Sequence, residues 1–200
     1  MENKGGLFQI ADRGTDLVVL GVLWLITSLP IITIGTSSTA LYYAVSKSVR
    51  FGEGKPVEEY FHAWKANAVQ GCMSTLIYLL TAGAAISVAM VSGENWLVII
   101  PILAAGTAIY YFPVLSRFTL STIQCFQVSV FLMVRYPVQT GSLLITFVLS
   151  VAVTAIFPFL LPVLFSFYTY YSTFFIEKIF REYMNPKKLN VEHGILNRDS

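Results

Sequence analysis

Apolar residues run along this chain in long blocks separated by short polar stretches, not in the stripes of a half-buried soluble helix. The first block extends from about Leu17 to Ile34, the second from Cys72 to Ser92 and the third from Trp96 to about Ser116. From Gly141 to Phe180 the only charged residues are Glu177 and Lys178. A hydrocarbon core about 30 Å thick takes roughly 20 helical residues at about 1.5 Å each. That last block therefore holds two crossings, 141–157 and 159–180, with the turn at Pro158 and Pro162. The rival reading has one crossing to about Phe165, then an interfacial helix with Ser166, Tyr170, Thr173 and Glu177 on one face. The segment after Arg117 mixes Gln124, Gln127 and hydroxyls with a short apolar run, and reads as a helix at the membrane surface.

Basic residues choose between these topologies, because short cytoplasmic loops carry the excess of Lys and Arg. They lie at Lys4 and Arg13, between Lys47 and Lys65, at Arg117 and Arg135, and from Lys178 to Arg198. Five spans with the N-terminus outside place all but Lys4 and Arg13 of the 13 basic residues inside. A four-span arrangement must expose either the Lys47–Lys65 loop or the C-terminal tail. The expectation is an all-α polytopic transmembrane helical bundle of about five spans with interfacial helices. It forms a single membrane domain over residues 1–185, followed by a polar cytoplasmic tail at 186–200. The chain is expected in the cell membrane as a multi-pass protein with a cytoplasmic C-terminus, and no removable signal peptide is expected at its start.

Composition supports the same class: 56% of residues are hydrophobic and 12% charged, far from the roughly 25% charge of soluble domains. A net charge of +2 gives no footprint for nucleic acid. Cys72 and Cys125 have neither CxxC nor Cys/His spacing and read as packing residues. His62 and His193 stand apart in polar regions, so no metal site or other cofactor is expected. No acid, base and nucleophile can be grouped, and no Gly-rich phosphate loop is present, so the chain is not read as an enzyme. The partner it requires is the lipid bilayer.

Two features ask for an explanation. In "SLPIITIGTSSTALYY", Ser28–Tyr43, Pro30 is expected to kink the first helix and Gly35 to suit a helix end. Thr36 or Ser37 would then cap an interfacial helix running to about Arg50, its hydroxyls satisfying the corner. Late in the chain, Tyr168, Tyr170 and Tyr171 offer a groove for a sugar-like ligand, although an interfacial aromatic belt explains them as well.

The Ser28–Tyr43 corner is followed by Phe61, Trp64, Lys65, Asn67 and Gln70 in an F-x₂-W-K-x-N-x₂-Q arrangement, and then by "YFPVLSRF" with Pro113, Arg117 and Phe118. "RYP" at Arg135–Pro137 comes after these. This succession, with Pro30, Gly35 and Thr39 in its first element, resembles the YesL-like family of bacterial integral membrane proteins, a domain of unknown function. The resemblance implies a polytopic protein linked to carbohydrate uptake, and it transfers no catalytic residue. Two functions are therefore expected. One is a non-enzymatic accessory or regulatory component working with a carbohydrate transport system. The alternative is a small permease for a neutral solute such as an oligosaccharide.

Overall fold

The computed structural model describes residues 6–92 and 99–183. Gly93–Asn95, between the second and third apolar blocks and expected from the sequence to be a tight polar turn, the tail from residue 186 and His193 lie outside the described residues. Eight α-helices and no strand occur among the described residues: α1 (Gly6–Thr27), α2 (Ile34–Ala44), α3 (Pro56–Ala66), α4 (Ala68–Ser92), α5 (Ile99–Arg117), α6 (Thr122–Arg135), α7 (Pro137–Ile156) and α8 (Leu161–Tyr183). Three described helical segments, Ala68–Ser92, Pro137–Ile156 and Pro158–Glu182, are long and apolar enough to cross a membrane. They mark a membrane protein. Their outward faces fit lipid: Ile145 on α7 is 71% exposed and Val91 on α4 is 90% exposed, which water would penalise by about 25 cal/mol per Å² of apolar surface.

Local chemistry sets the helix ends. Pro56 and Pro137 occupy the first turns of α3 and α7, where the missing N–H costs nothing. Glu58 and Glu59 stand in the first turn of α3 and Lys65 in its last, both complementing the helix dipole. Ser121 and Gln124 form a reciprocal capping box that starts α6. Between α2 and α3 the chain reverses through Gly52 and Gly54, at φ 73° and 76°, a region that glycine enters without steric cost.

The break after the first helix differs from the sequence expectation. Helix α1 ends at Thr27, so Pro30 lies in the connection and not at a kink within a helix reaching residue 34. A single 3₁₀ turn, Ile31–Thr33, then feeds α2. Its N-cap, Thr33, makes no side-chain cap; its Oγ1 donates to the Thr27 carbonyl at 2.6 Å. Gly35 stands inside α2 and ends no helix.

Helix α2 is also not a peripheral element of the bundle. It packs against α1, α3, α4, α5 and α8, and eight of its residues are buried, among them Gly35, Thr36, Thr39 and Tyr42. It joins two hydrophobic clusters. Tyr42 belongs to one with Tyr110, Tyr111, Ile176 and Phe180, and Leu41 to another with Leu17, Leu20, Trp24 and Tyr60. The hydroxyls that resemble a polar corner in sequence are those of the central helix. A hydroxyl can back-bond its own helix, as Thr39 Oγ1 does to the Gly35 carbonyl at 2.9 Å, and so enters a core without an unpaired polar atom.

Neutral hydroxyl pairs tie the helices together. Thr27 meets Tyr60, Ser74 meets Tyr111, Tyr78 donates to Thr107 at 3.3 Å, and Tyr110 pairs with Thr140 at 2.9 Å. Where lipid supplies no hydrophobic drive between helices, such bonds and close backbone packing hold a bundle.

Candidate functional site

Helix α2 continues into a π-helical turn, Val45–Arg50, of a kind frequent at functional positions. Tyr42, Ser46 and Arg50 follow one another at four-residue intervals and all reach α8. Ser46 Oγ donates to Glu177 Oε1 at 2.8 Å, Tyr42 OH donates to the same oxygen at 3.4 Å, and Arg50 Nη1 donates to the Thr173 carbonyl. From the end of α5, Arg117 brings Nε and Nη2 to Glu177 Oε1 at 2.9 and 2.6 Å, and Nη2 also donates to Ser46 Oγ at 2.9 Å. The Glu177 side chain is 7% exposed and that of Arg117 is 30% exposed. A carboxylate that is nearly buried is stable only when paired and hydrogen-bonded. Three elements distant in sequence meet on it.

Beside this cluster lies a pocket of about 430 Å³ lined by Phe51, Glu53, Arg117, Phe118, Glu177, Phe180 and Arg181. On the neighbouring face Lys47 bridges to Glu59 at 2.8 Å and fixes α3 against the π turn. Its hydrogen bonds to Glu59 and then to Tyr43 hold the Lys47 ammonium above the usual lysine pKa. Two other cavities, of about 500 and 380 Å³, lie between helices and are lined mainly by apolar side chains such as Ile77, Leu103 and Phe126, or Ile109, Val151 and Phe165.

The residues singled out in the sequence are joints of the bundle. Gly35 passes α4: its N–H donates to Thr75 Oγ1 at 2.9 Å, and Thr36 Oγ1 donates to the Ala68 carbonyl at 3.1 Å. Gln70 Nε2 donates to the Leu120 carbonyl at 3.0 Å and clasps the α5–α6 connection to α4. Gln70→Ala is expected to cost about 1–2 kcal/mol by leaving that carbonyl unpaired, read as a lower melting temperature in detergent. Asn67 separates α3 from α4, and its Nδ2 donates to the Ala63 carbonyl at 2.9 Å. Trp64 packs on the α1–α2 cluster with its Nε1 buried and without a hydrogen-bond partner among the described residues, while Phe61 and Lys65 are exposed on α3. Pro113 is buried inside α5, and Phe118 meets Phe180 edge to face. Of this set, Arg117 alone enters the ion pair.

Tyr168, Tyr170 and Tyr171 do not come together. Tyr168 lines the 380 Å³ cavity with its hydroxyl buried and without a partner among the described residues. Tyr170 packs on Phe174 and the α1–α2 cluster, and Tyr171 points to Ser142. Tyr170 lies about 160° around the helix from Tyr168 and about 100° from Tyr171, whereas Tyr168 and Tyr171, three positions apart, both face α7, at Phe147 and Ser142.

Glu177 escapes a reading made span by span, because it stands near the end of its apolar block. The available signal was its pairing: the lone acid of that block and Arg117 sit at corresponding ends of two predicted spans.

Residues 17–88 match the family model described as "Protein of unknown function, DUF624". The match takes in Pro30 to Gln70 of the residues discussed and stops before Arg117 and Glu177. No curated protein matches the chain, and no solved structure does.

Proposed function

We propose that the protein is a five-span, YesL-like protein of the bacterial cell membrane with a cytoplasmic C-terminus. In this reading it catalyses no reaction and works as an accessory or regulatory partner of a carbohydrate uptake system. The observation that carries the reading is the placement of polar chemistry. Where α5 ends against α8, Arg117 and Glu177 close on each other, while the two cavities between helices, of about 500 and 380 Å³, are lined mainly by apolar side chains. Helix α3 presents Phe61 and Lys65 outward, an aromatic and a cation suited to a protein contact. The link to carbohydrate comes from the family resemblance. The permease alternative has less support, because a neutral sugar needs hydroxyl and amide partners along its path.

Affinity purification from native membranes in a mild detergent tests the proposal. A carbohydrate-transporter component is expected to co-purify, and the Phe61→Ala, Lys65→Glu double variant to lower its recovery about tenfold. Efficient capture of the tagged protein with no transporter component would sink the reading.

A further inference from the structure

Phe51, 38% exposed, is surrounded by three arginines. The guanidinium carbons of Arg50, Arg181 and Arg117 lie 5.3, 5.5 and 5.9 Å from the centre of its ring. Any two of them are therefore less than about 12 Å apart, the sum of two such distances. Like charges gathered so closely repel unless something answers them.

The protein answers only part of this charge. Glu177 neutralises Arg117, Arg50 donates to a backbone carbonyl, and Arg181 makes no hydrogen bond or ion pair to a described residue. Glu53, exposed at the edge of the pocket, is the second carboxylate that lines it. Arg117, Arg181, Glu53 and Glu177 are the charged residues that line the pocket, and Arg50, which does not line it, adds a third guanidinium against the Phe51 ring. A guanidinium stacked on a ring uses its face, and its N–H edges remain available to an anion. Arg117 spends three of its five N–H groups on Glu177 and Ser46.

We propose that this pocket, of about 430 Å³, binds a phosphate group between Arg181 and Arg117, which line it beside Phe51, with Arg50 on the same ring adding positive charge from outside the lining. Planar arginine forks match phosphate oxygens bidentately, and the phenyl ring fixes their spacing. The group can arrive on a phospholipid headgroup or as free phosphate, and the chemistry of capture is the same. The inference stands apart from the partnership proposed above, since it concerns a ligand of the chain alone.

The test uses the full chain purified in detergent, with native mass spectrometry for lipid and calorimetry for inorganic phosphate. Phosphatidylglycerol is compared with diacylglycerol, which lacks the phosphate. Arg181→Ala is expected to weaken binding about tenfold, Arg181→Glu more, and Glu53→Gln to tighten it severalfold, as charge-assisted bonds are lost or a repulsion removed. Arg181 and Glu53 are exposed, so unchanged melting temperatures are expected to accompany these shifts. Retention of phosphatidylglycerol without phosphate binding assigns a headgroup, and phosphate binding alone assigns the free ion; both support the pocket. Equal binding by wild type, Arg181→Glu and Glu53→Gln, or no binding of either probe, overturns it.

Discussion

Arg117→Ala is expected to destabilise the protein by about 2–3 kcal/mol, a melting-temperature loss of about 5–10 °C. The cause is what the substitution leaves behind. Glu177, with a side chain 7% exposed, would keep only the Ser46 and Tyr42 hydroxyls and would have to hold a charge without its cation. The cost falls at the lower end for a broken buried pair because Arg117 itself is 30% exposed. Adding Glu177→Gln removes the orphaned charge and keeps acceptors for Ser46 and Tyr42. The double variant is accordingly expected to melt above Arg117→Ala alone. Thermal unfolding of the wild type, the Arg117→Ala and Glu177→Gln single variants and the double variant in one detergent decides the matter, and a double variant no better than Arg117→Ala would refute the charge argument.

Gly71→Ala is the second large effect, at about 2–3 kcal/mol lost. A Cβ on Gly71 would lie 2.5 Å from Thr36 Oγ1, 2.7 Å from Thr36 Cα and 2.9 Å from Thr36 N. Two of these atoms are the backbone of α2, so the helices themselves must separate. Gly35 shows the same closeness from the other side, where a Cβ would lie 2.9 Å from the Gly71 carbonyl oxygen. The comparison that isolates this crossing is Gly83→Ala on the same helix, where an added Cβ meets nothing within 4 Å. That change is expected to raise stability by up to about 1 kcal/mol through helix propensity. Opposite shifts for two identical substitutions on α4 are the expected result. Equal shifts would remove the close crossing as an explanation of Gly71.

Why one glycine matters and the other does not was hidden in the sequence. Gly35 and Gly71 are 36 positions apart, and nothing local signals that their helices touch. Local rules read Gly35 as a helix end and Thr36 and Ser37 as caps, whereas a tertiary crossing needed a small residue and a buried hydroxyl at those positions. The same limit applies to the tyrosines. Composition singles out Tyr168, Tyr170 and Tyr171, and the helix turns Tyr170 toward the α1–α2 cluster and the other two toward α7. Gln70 was legible as unusual, but its partner, the Leu120 carbonyl, was not.

What the sequence determined by itself was the helical class and the membrane environment. Long apolar blocks leave the backbone no solvent partner, and helices satisfy it within each segment. Prolines at Pro56 and Pro137 and the Ser121–Gln124 pair likewise fix helix starts from within a few residues. Tertiary structure alone decided that α2 is the central helix and that Tyr42, Ser46, Arg117 and Glu177 form one cluster. It also decided that three arginines surround Phe51. Those outcomes depend on how helices cross, and crossings are set by complementary surfaces on segments far apart in the chain, which local periodicity does not encode.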